Sequence, residues 1–442
     1  MDYPQSLEFL HSLRPESKLV KETLRIERIS LLLKLLGNPQ KKFKSVHVAG
    51  TAGKGSTTAI CASVLQAHGL KVGMHVSPHL QVVNERMQVD GRLIGTEEFA
   101  RLTERIEPLC DSVEGKLGFG RPTFYEATLA MAFAHFANEK CGAAVVETGL
   151  GGRLDATNVL APDACAITNV HLDHTQLLGN TIAKIAAEKA GIAKKGVPLV
   201  TGAEGKALEV IEEKCLELKA PIMRLGKEII AEQLRSGTNG SSFNLFLKNR
   251  KSNPTAFANL RLNLLGSHQV SNAALAIAAA SKIVKLDGKK LRNGLKSVFV
   301  PGRLEIVQRN PLVILDGAHN PAKARALVEA ARGMELKDLT MVMGISASKD
   351  AGGMMRQFRK LDAGFILTQG QGREFHNPVK LARLAGDDCA VENSVADAVN
   401  FAIAKAGWEG SVLVTGSLYV VGEARQRWLP NEVALKKRSL AI

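Results

Sequence analysis

The stretch Gly50-Thr51-Ala52-Gly53-Lys54-Gly55-Ser56-Thr57 decides how the rest of the chain is read. It follows a β-rich run, Lys44–Val48, and leads into a helical pattern over Ser56–His68. Glycines let the backbone turn and bring N–H groups up to phosphate oxygens. The helix that follows points the positive end of its dipole at the same anion. Lys54 then reaches the terminal phosphates of a nucleotide, and a hydroxyl at Ser56 or Thr57 can hold Mg2+. The loop predicts an ATP site built from Gly50, Thr51, Gly53, Lys54, Gly55, Ser56 and Thr57. It departs from the commonest phosphate-loop pattern, because Gly55 stands between the lysine and the hydroxyl residue.

Outward from the loop, strand and helix patterns alternate almost throughout. Lys71–Val76, Ala143–Glu147 and Ala164–Thr168 are apolar runs without alternation, as strands buried on both faces require. Helical patterns cover Glu97–Cys110, Phe124–Asn138, Ile182–Ala190 and His268–Val284. Phe243–Leu247 and Leu260–Leu264 do alternate and predict an antiparallel patch, while Arg235–Ser242 and Asn253–Thr255 read as linkers. Val300-Pro301-Gly302-Arg303 interrupts the pattern, and a second α/β series follows. Its strand candidates are Leu312–Leu315, Leu339–Met343, Gly364–Leu367 and Ser411–Val414. Its helices are Ala322–Arg332, Pro378–Leu384 and Ala396–Ala406. The expected fold is α/β: an N-terminal P-loop ATPase-type domain over 1–298 and a smaller, Rossmann-like C-terminal domain over 301–442. Open sheets of this kind bind ligands at the carboxyl ends of their strands, so chemistry is sought there.

Composition narrows the function. Hydrophobic residues make up 45% of 442, which suits a soluble globular chain. The longest apolar stretches fall short of the ~20 residues a membrane span needs. Met1–Leu13 lacks the basic start and apolar run of a secretory signal. Six scattered cysteines without a C-x-x-C pair read as thiols of a reducing cytoplasm. The formal charge of +15 is spread along the chain, without zinc-finger spacing or an aromatic RNA-binding signature, so no nucleic-acid partner is expected.

Several further motifs accompany the loop: Ser77-Pro78-His79-Leu80, Asn84-Glu85-Arg86, Glu147 through Asn158, Leu172-Asp173-His174, Glu188 through Ile192, His268-Gln269, Asn272-Ala273, Pro301-Gly302-Arg303 and Asp316 through Pro321. With the loop, they resemble the Mur ligase superfamily, and within it the folylpolyglutamate synthases and dihydrofolate synthases. The resemblance runs from about Ile26 to about Glu423. It implies ATP-dependent joining of L-glutamate to dihydropteroate or tetrahydrofolate by a monomeric enzyme that makes both kinds of product.

The resemblance also implies residue roles. Ser77, Glu147 and His174 hold a second Mg2+, with K+ as a further candidate cation. Lys189 is carbamylated, which turns a cation into an anion able to serve a metal. Arg303 contacts ATP phosphates, Asn272 the adenine, and Asp316 the nucleotide. His319 and Ser417 receive glutamate. Phe124 stacks on the pterin, with Asp155 and Ala156 beside it. Lys54, Lys189, Asp316 and His319 form the catalytic group. One departure stands out: the family's Asp-Lys-Asp is replaced by Ser348-Lys349-Asp350. Three other readings stay open. These are a Mur-type ligase for another acid, a P-loop kinase or NTPase, and a nucleotide-dependent binding protein without catalysis.

Overall fold

A computed structural model describes residues 1–14, 25–118, 120–249, 252–386 and 389–442. The first sheet has eight strands: β1 (Lys44–Ala49), β2 (Val72–His75), β3 (Gln88–Val89), β4 (Arg92–Leu93), β5 (Ala143–Glu147), β6 (Ala164–Ile167), β7 (Leu199–Thr201) and β8 (Ile222–Arg224). Their order is β4-β3-β2-β5-β1-β6-β7-β8, parallel except for the β3 and β4 edge. β1 and β5 are buried along nearly their whole length, which accounts for their lack of alternation. The register sets Glu147 opposite Val48, so the end of β5 lies beside the turn that leaves β1.

A three-stranded antiparallel sheet follows: β9 (Ile229–Gly237), β10 (Gly240–Asn249) and β11 (Ser252–Leu262). The stretch Arg235–Ser242 is therefore the hairpin joining β9 to β10, and Thr255 is paired within β11, so neither stretch is a linker. The cause is exposure: the outer half of β9 faces solvent and carries polar residues, so it shows no hydrophobic period.

The third sheet contains β12 (Glu305–Arg309), β13 (Leu312–Leu315), β14 (Leu339–Met343), β15 (Ala363–Leu367), β16 (Cys389–Val391) and β17 (Ser411–Thr415). Its order is β12-β13-β17-β14-β15-β16, with only β12 antiparallel. Helices Pro321–Arg332, Ala351–Phe358 and Pro378–Ala385 contribute to one of its two apolar clusters, and Val395–Ala406 and Leu418–Arg425 to the other. The helix Asn431–Lys437 and the tail beyond it cross back to the first sheet. There Leu93 and Val82 pack with Leu429, Ala434 and Leu440; the Leu93 amide donates to the Arg438 carbonyl, and Arg438 Nε donates to the Leu93 carbonyl. Among the described residues, no helix is long and apolar enough to cross a membrane.

Candidate active site

The helix after β1 begins at Lys54, two residues earlier than the sequence pattern indicated, so Gly55, Ser56 and Thr57 form its first turn. Gly50 and Gly53 have φ of +150° and +80°. A side chain at Gly50 would strike the Thr168 hydroxyl, and one at Gly53 would strike Asn272 Oδ1. Both positions therefore need glycine for space as well as for backbone freedom. The loop is braced from β6: Asn169 accepts from the amides of Thr51 and Ala52 at 3.0 and 2.9 Å, and Thr168 Oγ1 donates to the Ala52 carbonyl at 2.6 Å. The amides of Gly53, Lys54, Gly55 and Ser56 keep no partner among the described residues. Four unused donors at a helix N-terminus form an anion cradle.

Glu147 is 5% exposed at the end of β5. Its carboxylate lies 3.9 Å from Lys54 Nζ and accepts from the Ser77 amide at 3.2 Å. Burial raises its pKa, and Lys54, the Ser77 amide, Arg303 and Lys323 pull it back down. Two of those cations belong to the C-terminal half, so Glu147 faces groups from both sides of a cleft. A cavity of about 310 Å³, lined by Gly55, Ser77, Glu147, Pro301 and Arg303, opens there. The hydroxyls of Thr57 and Thr148 are buried without a partner among the described residues. A buried carboxylate beside the loop, sharing its cavity with Ser77, suits a hard divalent cation, so Glu147 and Ser77, with Ser56 in the first turn of the loop's helix, fit Mg2+. His174 is different. Its side chain is 46% exposed, its nearest acid is Asp173 at 3.8 Å, and it makes no hydrogen bond to Ser77 or Glu147. Among the described residues, no three His, Cys, Asp or Glu side chains converge on one point.

Lys189 is 3% exposed. Its Nζ donates to the Gly50 carbonyl at 2.9 Å. Burial, and then the Lys54 charge, bring its pKa down to about 7. Asn272 lies against Gly53, with its amide nitrogen on Gln269 Oε1 at 2.9 Å. Nucleotide loop and expected adenine residue are thus in contact.

Across the cleft, Asp316 leaves β13 and accepts from the amides of Leu304 and Ala318 at 3.0 and 2.9 Å. Burial raises its pKa against the pull of Arg303. His319 hydrogen-bonds the Gly317 carbonyl through Nδ1 at 2.9 Å and Lys323 Nζ through Nε2, also at 2.9 Å. Lys323 was not expected here from the sequence. No local spacing marks it: His319 lies outside the helix Pro321–Arg332, ahead of the extended N-cap Asn320, so only the tertiary path of the chain brings the two side chains together. Lys349, which survives in the altered loop, adds its charge to this group. Ser417 is buried, caps the helix Leu418–Arg425 through the Tyr419 amide, and lies 3.5 Å from Ser346 Oγ.

The residues expected at the pterin are all engaged by protein contacts. Phe124 does not offer a free ring: it is 8% exposed in the core, stacked on His11 and lying under the Arg86 guanidinium at 5.1 Å. Asp155 accepts from the amides of Leu150 and Thr157 and from the hydroxyls of Thr157 and Tyr125. Its carboxylate is therefore committed to holding the turn Gly149–Ala156 together. Ala156 is buried in the same cluster as Phe124.

The chain is similar to known proteins along nearly its whole length. A Mur ligase middle-domain family matches residues 48–280, and a Mur ligase glutamate ligase domain matches 302–418. A dihydrofolate synthase/folylpolyglutamate synthase of Bacillus subtilis is 36% identical over 90% of this chain and 94% of its own. A Mycobacterium tuberculosis folylpolyglutamate synthase complexed with ADP superposes with a TM-score of 0.87 at 30% identity, covering 97% of this chain and 98% of the other. An FPGS–AMPPCP–folate complex superposes at 0.82, also with 30% identity, over 97% and 100%.

Proposed function

Because the chain belongs to the folylpolyglutamate synthase/dihydrofolate synthase family of the Mur ligase superfamily, we propose that it is a bifunctional ligase for dihydropteroate and reduced folates. Its ATP-dependent, ADP-forming chemistry attaches L-glutamate to a folate-type acid, as the activities and complexes of its relatives indicate. One observation supports the reading above all: the amide cradle, Lys54 and Glu147 at the end of one sheet face Arg303, Asp316, His319 and Lys323 at the end of another. A kinase or NTPase has no use for that second set, and a binding protein has no use for a buried carboxylate aimed at the loop.

Amide formation from a free carboxylate is uphill in water, so the acid must first be activated. The γ-phosphoryl group of ATP passes to the carboxylate and gives an acyl phosphate. The amides of Gly53–Ser56 with Lys54 and Arg303 hold the transferring group in place and offset its charge. Ser56 would hold one Mg2+ and Ser77 with Glu147 a second, and the ions would supply Lewis-acid stabilisation of the developing charge. Glutamate, received by the His319 and Ser417 side, then attacks the acyl carbon and expels phosphate. Closing the cleft keeps water from the acyl phosphate. We place this chemistry in the reducing cytoplasm, which suits six cysteines with no disulfide among them, and assign it to a monomer.

The experiment is direct. ADP release is expected only when glutamate and a pterin acid are both present, with dihydropteroate and tetrahydrofolate each supporting it. Activity with one of them removes bifunctionality, and stimulation by neither removes the folate reading.

Lys189 has its own test. Carbamylation needs the neutral amine, and a pKa near 7 supplies a substantial neutral fraction at physiological pH. The predicted outcome is a carbamate carbon signal in NMR with isotope-labelled bicarbonate, strengthening as pH rises through 7 and missing from Lys189→Ala. A wild-type spectrum without that signal removes the modification.

A further inference from the structure

Both ring nitrogens of His319 are already engaged by protein. The Gly317 carbonyl can only accept, so Nδ1 carries the proton and Nε2 presents its lone pair to Lys323 at 2.9 Å. The positive charges of Lys323, Arg303 and Lys349 surround the ring, and burial with those charges keeps it neutral. His319 is thus poorly placed to take a proton from a substrate. Lys323 is better placed. It sits on the first turn of the helix Pro321–Arg332, at the carboxyl end of the second parallel sheet, within the electrostatic reach of Lys54 on the opposite side of the cleft.

The ligase reaction poses a proton problem that the groups already assigned do not solve. Glutamate arrives as an ammonium ion, which has no lone pair with which to attack. Something in the glutamate half of the cleft must remove a proton from it. We propose that Lys323 is the proton acceptor for the incoming amine, with His319 as the positioning residue that holds its Nζ. This rests on the glutamate-ligase reading above.

The steps balance. Neutral Lys323 Nζ takes one proton from the glutamate ammonium and becomes an ammonium that donates to His319 Nε2. The freed nitrogen lone pair forms the bond to the acyl carbon, and the carbon–oxygen bond to phosphate breaks. The second nitrogen proton leaves with the phosphate, and Lys323 returns its proton to water. The environment suits the role. Burial and the charges of Arg303, Lys54 and Lys349, opposed by Asp173, bring the Lys323 pKa down to about 7. Phosphoryl oxygens bound beside Lys54 and Arg303 offset part of that charge. They draw the acceptor's affinity up toward that of the ammonium it must deprotonate, the match that favours proton transfer.

Hydroxylamine separates this role from a structural one, because it is largely neutral near pH 7 and needs no base to attack an acyl phosphate. Lys323→Met is expected to lower kcat/KM for glutamate ~100-fold or more near neutral pH. Hydroxamate formation from the pterin acid should fall far less, and the glutamate deficit should shrink as pH rises. Lys323→Arg keeps the charge but cannot release its proton, so it should behave like the methionine variant. Equal losses with both nucleophiles, or an arginine variant near wild type, overturn the proposal. So does a methionine variant with undiminished glutamate turnover. A wild-type enzyme that forms no hydroxamate removes the ligase reading itself, and this proposal with it.

Discussion

Replacing Lys54 with alanine is expected to lower turnover at least ~100-fold while leaving the chain folded. Lys54 is the first residue of its helix, and its side chain is 18% exposed at the mouth of the amide cradle. It is the only basic residue of the loop, so its loss removes a fixed charge where the phosphoryl group moves. Folding should survive because the partner it leaves behind can adjust. Burial raises the Glu147 pKa against the pull of Lys54, which lowers the cost of losing that charge, and the Ser77 amide still donates to the carboxyl. Steady-state ADP release together with thermal unfolding checks both halves. Near-normal turnover in the folded variant counts against the loop as the phosphate site.

The largest stability effect is expected at Arg425. Its side chain is fully buried, where the helix Leu418–Arg425 meets the first half of the chain. Nε and Nη2 donate to the Glu305 carboxylate at 2.7–3.0 Å, Nη1 to Gln81 Oε1 at 2.6 Å, and Nη2 also to the Leu440 carbonyl. One guanidinium thus ties together β12, the loop after β2 and the C-terminal tail. The packing around it is close: a methyl group added at Gly422 would lie 2.0 Å from the Leu80 carbonyl. Arg425→Met strands the buried Glu305 carboxylate, at a cost of about 3–5 kcal/mol. Glu305→Gln in the same chain should recover part of that loss, since the penalty lies largely in the unpaired charge. Denaturant unfolding of the single and double variants measures it. A loss below ~1 kcal/mol in the single variant shows that the network adds little.

Features that depend on local pattern could be read from the sequence. Strands buried on both faces, such as β1, β5 and β17, carry apolar runs that do not alternate. The phosphate loop carries its chemistry in consecutive residues. Legibility failed where long-range packing decides. β9 is polar along its outer half, and only its pairing with β10 makes it a strand. Lys189 looks like any helical lysine until the Gly50 carbonyl is placed above it. Phe124 and Asp155, expected from the sequence at a pterin, have contacts the sequence does not show: one is stacked within the core and the other braces a turn. Arg425 carries no local sign of burial, since its partners are 120 and 344 residues away. Lys323 belonged to no motif, and its partner His319 lies outside the helix that carries it.

The central claim is that phosphate leaves from an activated carboxylate. Incubation with ATP, glutamate and dihydropteroate labelled with heavy oxygen in its carboxyl group tests it. One labelled oxygen should appear in the released phosphate for each amide bond formed, with none in ADP. Unlabelled phosphate accompanying glutamylated product contradicts the acyl phosphate and the assignment of the two facing sets of residues to a ligase.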